Sequence, residues 1–268
     1  SSIIVGVSNI ILSFVLAVVF DFGIQGIAIA SSISFLISAL YSTKVLLNKQ
    51  QQDDVSDVLV DKKEVSHKFF YVGFYIFVRS MFLTIFMAYL RNRASLMSME
   101  EIALQHVLLQ LWSFGYVFVD ALAIAAQTLV SEYKTKFHDY RNSDLKKYLN
   151  KLTLRISVSL FVFSSIFLDT LITLITDKSL GQLIDFELRI LFGLSLLIGS
   201  FAFLWDGVLL GLDKSREFSS LTVVSSIIGF ISCSYFLNFE NTLSSLWIGL
   251  NLSLVYRGVA GFLYQIRD

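Results

Sequence analysis

Two aspartates and two arginines stand inside long apolar runs of this chain: Asp120, Asp206, Arg79 and Arg257. An ionised side chain at the middle of a bilayer costs at least about 2.5–3.5 kcal/mol on insertion scales, so each needs a partner or a task. As a set the four are neutral. One chemistry open to them is structural, with Arg79 or Arg257 pairing with Asp120 or Asp206 to lock helices together. The other is proton exchange, in which one carboxylate takes up and releases a proton and its pairing alternates between two states. Asp120 shares a helical face with Tyr116, Ser113 and Gln127, a polar stripe nearly four turns long. Tyr75 lies one turn before Arg79, placed to hydrogen-bond it, and Ser253 lies one turn before Arg257. Trp112, Tyr116, Phe118 and Trp205 lie near the stripe and are the candidate walls of a cavity for an amphipathic small molecule. Asp169 reads as a solvated acid at a span end, Trp247 as an interfacial anchor, and Asn9 and Asn251 as hydrogen-bond links to neighbouring helices.

The elements that must position these groups are membrane helices. Of 268 residues, 55% are hydrophobic and 16% charged, against the roughly 25% charged of a soluble domain; the mean hydropathy is +0.71. A bilayer core about 30 Å thick takes roughly 20 residues of helix. Eight stretches are apolar over about that length: 3–20, 24–47, 68–90, 102–131, 153–176, 188–211, 218–237 and 243–265. They are too long and too little alternating for strands. The expected fold class is therefore all-α, a polytopic membrane protein of eight transmembrane helices. No proline occurs, so no helix is kinked by one.

Lys and Arg between the spans set an orientation. Fifteen fall in 44–68, 132–155, 212–217 and the C-terminal end, against four in the alternate loops (Arg91, Arg93, Lys178 and Arg189). This gives a zigzag with both termini cytoplasmic, in the bacterial inner membrane. The polar run 49–67 is the expected inter-lobe linker, dividing two spans (1–48) from six (68–268). The stretch 136–151 is expected to form a short cytoplasmic surface helix with Asp144 near its start.

Several functions are excluded or disfavoured. A net charge of zero argues against nucleic acid, which needs a surplus of cations. One cysteine, Cys233, allows no internal disulfide, and no Cys/His cluster has metal-ligand spacing. There is no Walker-type phosphate loop, no HExxH and no GxSxG, so neither an ATP motor nor an enzyme is expected. No cofactor is expected beyond a proton or sodium gradient. The expected partners are a small-molecule substrate and membrane lipid, and the chain is expected to be a monomer.

Specific motifs add a family resemblance. Asn9-Ile-Ile-Leu12 and Phe22-Gly-Ile-Gln-Gly26-Ile-Ala28-Ile-Ala30 resemble the fifth and sixth helices of multidrug and toxic compound extrusion (MATE) transporters. The stretch from Gln110 to Val130 resembles that family's eighth helix, closest to the branch named for DNA-damage-inducible protein F. Phe77-Val-Arg79-Ser80 resembles the seventh helix, Asp206-Gly-Val-Leu-Leu-Gly211 the tenth and Arg257-Gly258 the twelfth. There are departures: Leu104-Gln105-His106 stands where the family often has Ala-His-Gln, and Glu132 to Phe137 replaces a Gly-rich turn. The resemblance implies the last two helices of an N-terminal six-helix lobe followed by a whole C-terminal lobe, the chain being shortened at its N-terminus by four helices. It also implies an antiporter extruding drugs or other small organic compounds by alternating access, with Asp120, Asp206, Arg79, Arg257 and Gln127 as ion-coupling or cavity residues. A lipid-linked oligosaccharide flippase of the same superfamily and an inactive transporter fragment are the alternatives.

Overall fold

In the computed structural model, the described residues are 2–52, 62–137, 144–176 and 178–267. All regular structure among them is helical. In chain order the helices are α1 (Ser2–Phe14, continued by a π-helical turn Val15–Val19), α2 (Gly23–Gln52), α3 (Lys62–Ala94), α4 (Met99–Phe137), α5 (Asp144–Ile175), the one-turn α6 (Lys178–Gly181), α7 (Phe186–Gly211), α8 (Ser215–Phe239) and α9 (Leu243–Arg267). Seven of them, α2 to α5 and α7 to α9, are long and apolar enough to cross a membrane. Together with the fold reported below, this makes the chain a multi-pass membrane protein.

The count of seven corrects the expected eight. The apolar part of the first helix, Ile4–Val19, falls short of a full span. It ends because the chain reverses at once: Asp21 (φ 55°) and Gly23 (φ 52°) both take left-handed backbone, incompatible with continuing a right-handed helix. The expected linker 49–67 is also narrower than anticipated, since α2 continues to Gln52 and α3 begins at Lys62; its centre, 53–61, lies outside the described residues. Of the expected surface helix 136–151, residues 138–143 lie outside the described residues, and Asp144 instead opens the long helix α5.

The chain divides into two compact units, 1–65 and 66–268. In the first, α1 and α2 form a tight hairpin. Gly26 sits so close to the α1 backbone that a Cβ there would lie 2.8 Å from the carbonyl of Leu16. Gly26, Ala30, Ser34 and Ser38, every fourth residue of α2, form its buried stripe, the small-residue pattern that lets membrane helices approach closely. Asn9 accepts hydrogen bonds from Ser13 (2.9 Å) and, across the hairpin, from Ser31 (3.4 Å).

The second unit is built around α7, the most buried of the seven spans. Side-chain pairs give the helix directions. Gly115 meets Leu196 and Ala123 meets Gly207, so α4 runs parallel to α7. Phe192 meets Trp247 and Asp206 meets Arg257, so α9 is also parallel to α7. Phe161 meets Gly193 while Asp169 meets Arg189, so α5 is antiparallel to it. Arg79 meets Thr222 and Tyr89 meets Ser234, so α3 and α8 are parallel. These directions are what a chain that crosses on every long helix must give. Helix starts carry their own signals. Ser98 and Glu101 form a reciprocal capping box before α4, and the Asp185 carboxylate accepts from the Leu188 N–H at 2.8 Å to cap α7.

Candidate functional site

α3, α4, α7, α8 and α9 of the second unit enclose a cavity of about 290 Å³. Its walls are mostly apolar, with Phe86 and Met87 from α3 and Leu250 and Leu254 from α9. Its polar groups are Trp112, Tyr116 and Asp120 from α4, Arg257 from α9 and four serines.

The α4 face is aromatic at one end and acidic at the other. Trp112 leans on Tyr116 with ring centroids 4.1 Å apart, and Tyr116 on Phe203 at 4.6 Å. The Tyr116 hydroxyl donates to the Ser195 carbonyl of α7 at 3.0 Å. It reaches that carbonyl because residue 199, one turn further along α7, is glycine; a Cβ there would collide with the phenol oxygen. Asp120, one turn beyond Tyr116, is exposed at the cavity and forms no ion pair in contact range among the described residues. The guanidiniums of Arg257 and Arg79 are both close enough to attract it electrostatically.

Behind this face, Arg257 Nη2 donates to Asp206 Oδ2 in an ion pair whose two side chains are almost wholly buried. The Arg257 guanidinium also lies 4.8 Å from the Phe203 ring centroid. Burying both charges is tolerable because each is the other's partner; either alone would be strongly unfavourable. Arg79 solves the same problem differently. Its Nε donates to the Thr222 hydroxyl at 3.3 Å and its guanidinium stacks on Phe218 at 4.3 Å, a cation–π contact that supplies an electron-rich surface instead of an anion.

The structure brings together Trp112, Tyr116, Asp120 and Arg257 in the cavity lining, with Asp206 directly behind Arg257. Arg79 is one helix away and is not in the lining. Gln127 is exposed and lies beyond the cavity, where α4 meets Gly211. Trp205 belongs to a separate buried cluster with Leu204 and Val208, its ring 5.6 Å from that of Phe262. Phe118 lines a different, almost wholly apolar groove between α4 and α5. Tyr75 does not bond Arg79; its hydroxyl donates to Tyr71 at 2.8 Å. Asp169 is not a lone solvated acid, because it pairs with Arg189 across α5 and α7. Trp247 is no interfacial anchor: it is 1% exposed and donates to the Gln105 side chain at 2.9 Å. Asn251 does link helices, donating to the Leu191 carbonyl of α7.

Unforeseen in the sequence are the four cavity serines, Ser113, Ser225, Ser226 and Ser253. The doublet Ser225-Ser226 in an otherwise apolar span was the available signal. Among the described residues no group of three or more His, Cys, Asp or Glu could hold a metal ion.

The fold is that of the MATE transporters. A crystal structure of a MATE in its bent conformation superposes with a TM-score of 0.77 at 19% identity, covering 99% of this chain and 60% of that one. An outward-facing multidrug resistance MATE family transporter of the MOP superfamily gives 0.78 at 18% identity, with 99% and 60% covered. A MOP superfamily transporter from Pyrococcus furiosus, described as having a binding pocket of reverse polarity that suggests a different function, gives 0.75 at 18%, with 98% and 60% covered. This chain thus spans about 60% of the length of the transporters it superposes on. No family model matches the sequence, and no curated protein matches it.

Proposed function

We propose that this chain works as a secondary active transporter that extrudes small organic compounds in exchange for protons or sodium, its cavity opening alternately to the two sides of the membrane. The observation that carries this reading is the placement of Arg257. It lines the cavity with Asp120 while its charge is held by Asp206 behind it. Two carboxylates therefore flank one cavity arginine, and neutralising either by a proton or a sodium ion changes which of them Arg257 pairs with. A change of partner shifts α9 relative to α4 or α7, which is the coupling an antiporter needs. In this reading Asp120 and Asp206 are the coupling carboxylates, Arg257 is the element that switches, and Trp112 and Tyr116 wall the substrate. The membrane is the bacterial inner membrane, with both termini cytoplasmic and the chain monomeric, as the excess of Lys and Arg at 44–68 and 132–155 suggests for orientation. The MATE fold supports the transporter class and the likeness of 110–130 to the branch named for DNA-damage-inducible protein F supports proton over sodium.

A flippase for lipid-linked oligosaccharides would favour a strongly cationic cavity. Here the one lining arginine is neutralised by Asp206, which favours the small-molecule antiporter.

The test is release of a fluorescent cationic dye from proteoliposomes under an imposed proton or sodium gradient. It is run with this chain and with the longest form its gene encodes, since the transporters of this fold are longer. Efflux driven by one gradient and abolished by Asp120→Asn supports the reading and names the ion. No dye movement under either gradient overturns it and turns the assay to lipid-linked sugars.

A further inference from the structure

The cavity divides its hydrogen-bonding groups unequally. Each of its four serines donates its proton to its own helix: Ser113 to the Leu109 carbonyl (2.8 Å), Ser225 and Ser226 to that of Thr222 (2.9 Å each) and Ser253 to that of Leu250 (2.8 Å). They offer the cavity lone pairs only. Asp120 adds a carboxylate with no contact partner, and Arg257, the other charged residue of the lining, is neutralised by Asp206. The register of the helices puts Ser225, Ser226 and Ser253 near Asp120. Phe86 meets Gly229 on α8, so Ser225 and Ser226 lie about a turn beyond Phe86, towards the level where Arg79 meets Thr222. That end of the cavity is rich in acceptors and carries one negative charge.

The other end is different. Trp112 is 8% exposed, lines the cavity, and its Nε1–H has no hydrogen-bond partner among the described residues. Eight residues of α4 separate it from Asp120, about 12 Å of helix, with the rings of Tyr116 and Phe203 between them. Arg257 Nε–H is a second unpartnered donor, on the Asp120 side. Buried donors are rarely left unpaired, and a ligand that cannot satisfy one loses affinity for it.

We infer that the cavity selects flat compounds with a cationic amine at one end and a carboxylate or carbonyl at the other, and that Trp112 is the specificity-determining residue that reads the acceptor end. The amine sits against Asp120 and the serine oxygens, the ring lies along Tyr116 and Phe203, and the acceptor takes the Trp112 Nε1–H. A plain organic cation satisfies only half of the site. This inference rests on the reading above that the cavity is the substrate site, and deepens it.

The test is equilibrium binding to the purified chain in lipid nanodiscs by titration calorimetry, with three probes sharing one ring: 4-(aminomethyl)benzoate, 4-methylbenzylamine and 4-methylbenzoate. The zwitterion is expected to bind about tenfold more tightly than the amine, the share of one hydrogen bond to a charged group. Trp112→Phe, which keeps the ring and removes the donor, should erase that tenfold difference and leave the amine's affinity unchanged. Asp120→Asn should weaken the zwitterion and the amine and spare the benzoate. An amine that binds the unaltered chain as tightly as the zwitterion overturns the inference without any variant, and so does the absence of binding by all three probes. Because no gradient is imposed, failure of dye efflux leaves this result readable, and failure here leaves the antiport test standing.

Discussion

Arg257 on α9 and Asp206 on α7 form an ion pair across two parallel helices, with side chains only 3% and 7% exposed. Each is 51 residues from the other in sequence, and neither has another formal counter-charge in contact range among the described residues. A pair this enclosed contributes little net stability when intact, yet removing one partner strands the other and costs about 3–5 kcal/mol. Arg257→Gln and Asp206→Asn should therefore each destabilise the folded chain by an amount of that order. The double variant should cost clearly less than the two singles together. The readout is built in: Cys233 is the one cysteine of the sequence and is fully buried, so a fluorogenic thiol reagent reports unfolding on heating in detergent. Strict additivity would show that the pair is not a unit.

Asp120 should behave in the opposite way. It is exposed at the cavity and has no contact ion pair to lose, so Asp120→Asn should leave the thiol-reactivity midpoint unchanged to within about 0.5 kcal/mol. The same variant should abolish gradient-driven dye efflux. Normal stability with lost efflux separates a working carboxylate from a structural one. Normal stability with undiminished efflux removes Asp120 from the coupling.

The contrast between these two aspartates shows what the sequence could and could not disclose. Charges inside apolar runs are conspicuous, so all four buried or half-buried candidates were visible as a set. Which arginine meets which aspartate was not, because Arg79 and Arg257 are chemically alike and only packing shows that Arg79 rests on Phe218 and Thr222. Helical periodicity put Gln127 on the face of Asp120, since seven residues are almost two whole turns, but periodicity says nothing of where a cavity ends. The seven long spans were legible because bilayer thickness fixes helix length. The first helix was over-read because composition cannot reveal that Asp21 and Gly23 reverse the chain. Trp247 sits at a span end as an anchor would, yet Gln105 on a helix 142 residues away captures its N–H. Contacts of that sequence separation leave no local trace.

Asp169 and Arg189 form a second interhelical pair, here near the ends of α5 and α7, with side chains 39% and 29% exposed. Water reaches both, so the attraction is screened and the pair should be worth no more than about 1 kcal/mol. Asp169→Ala is expected to lower stability by no more than that, and raising the salt concentration should shrink the difference. A loss as large as that of Arg257→Gln would mean that this pair, and not the Asp206 pair, holds α7 in place.

The closest helix contact in the second unit lies between α4 and α7, and it depends on Gly207 and Gly211, one turn apart. A Cβ at 207 would run into the Ala123 carbonyl, and one at 211 would come within 2.6 Å of the Gln127 carbonyl. Both obstacles are helix backbone, which cannot swing aside as a side chain can, so the added methyl must separate the helices. Overpacking of this kind costs about 1–3 kcal/mol. Gly207→Ala should lower the temperature at which Cys233 becomes reactive. Gly73→Ala on α3 should not, because nothing lies within 4 Å of a Cβ there, and alanine is the better helix former. The separation also acts on the site. Gly207 directly follows Asp206, while Ala123 follows Asp120 by less than a turn, so widening this contact moves the two carboxylates apart. Gly207→Ala in proteoliposomes should therefore reduce dye efflux at temperatures where the thiol remains protected. Full efflux from a destabilised Gly207→Ala chain would show that the spacing of Asp120 and Asp206 is not what couples the ion to the substrate.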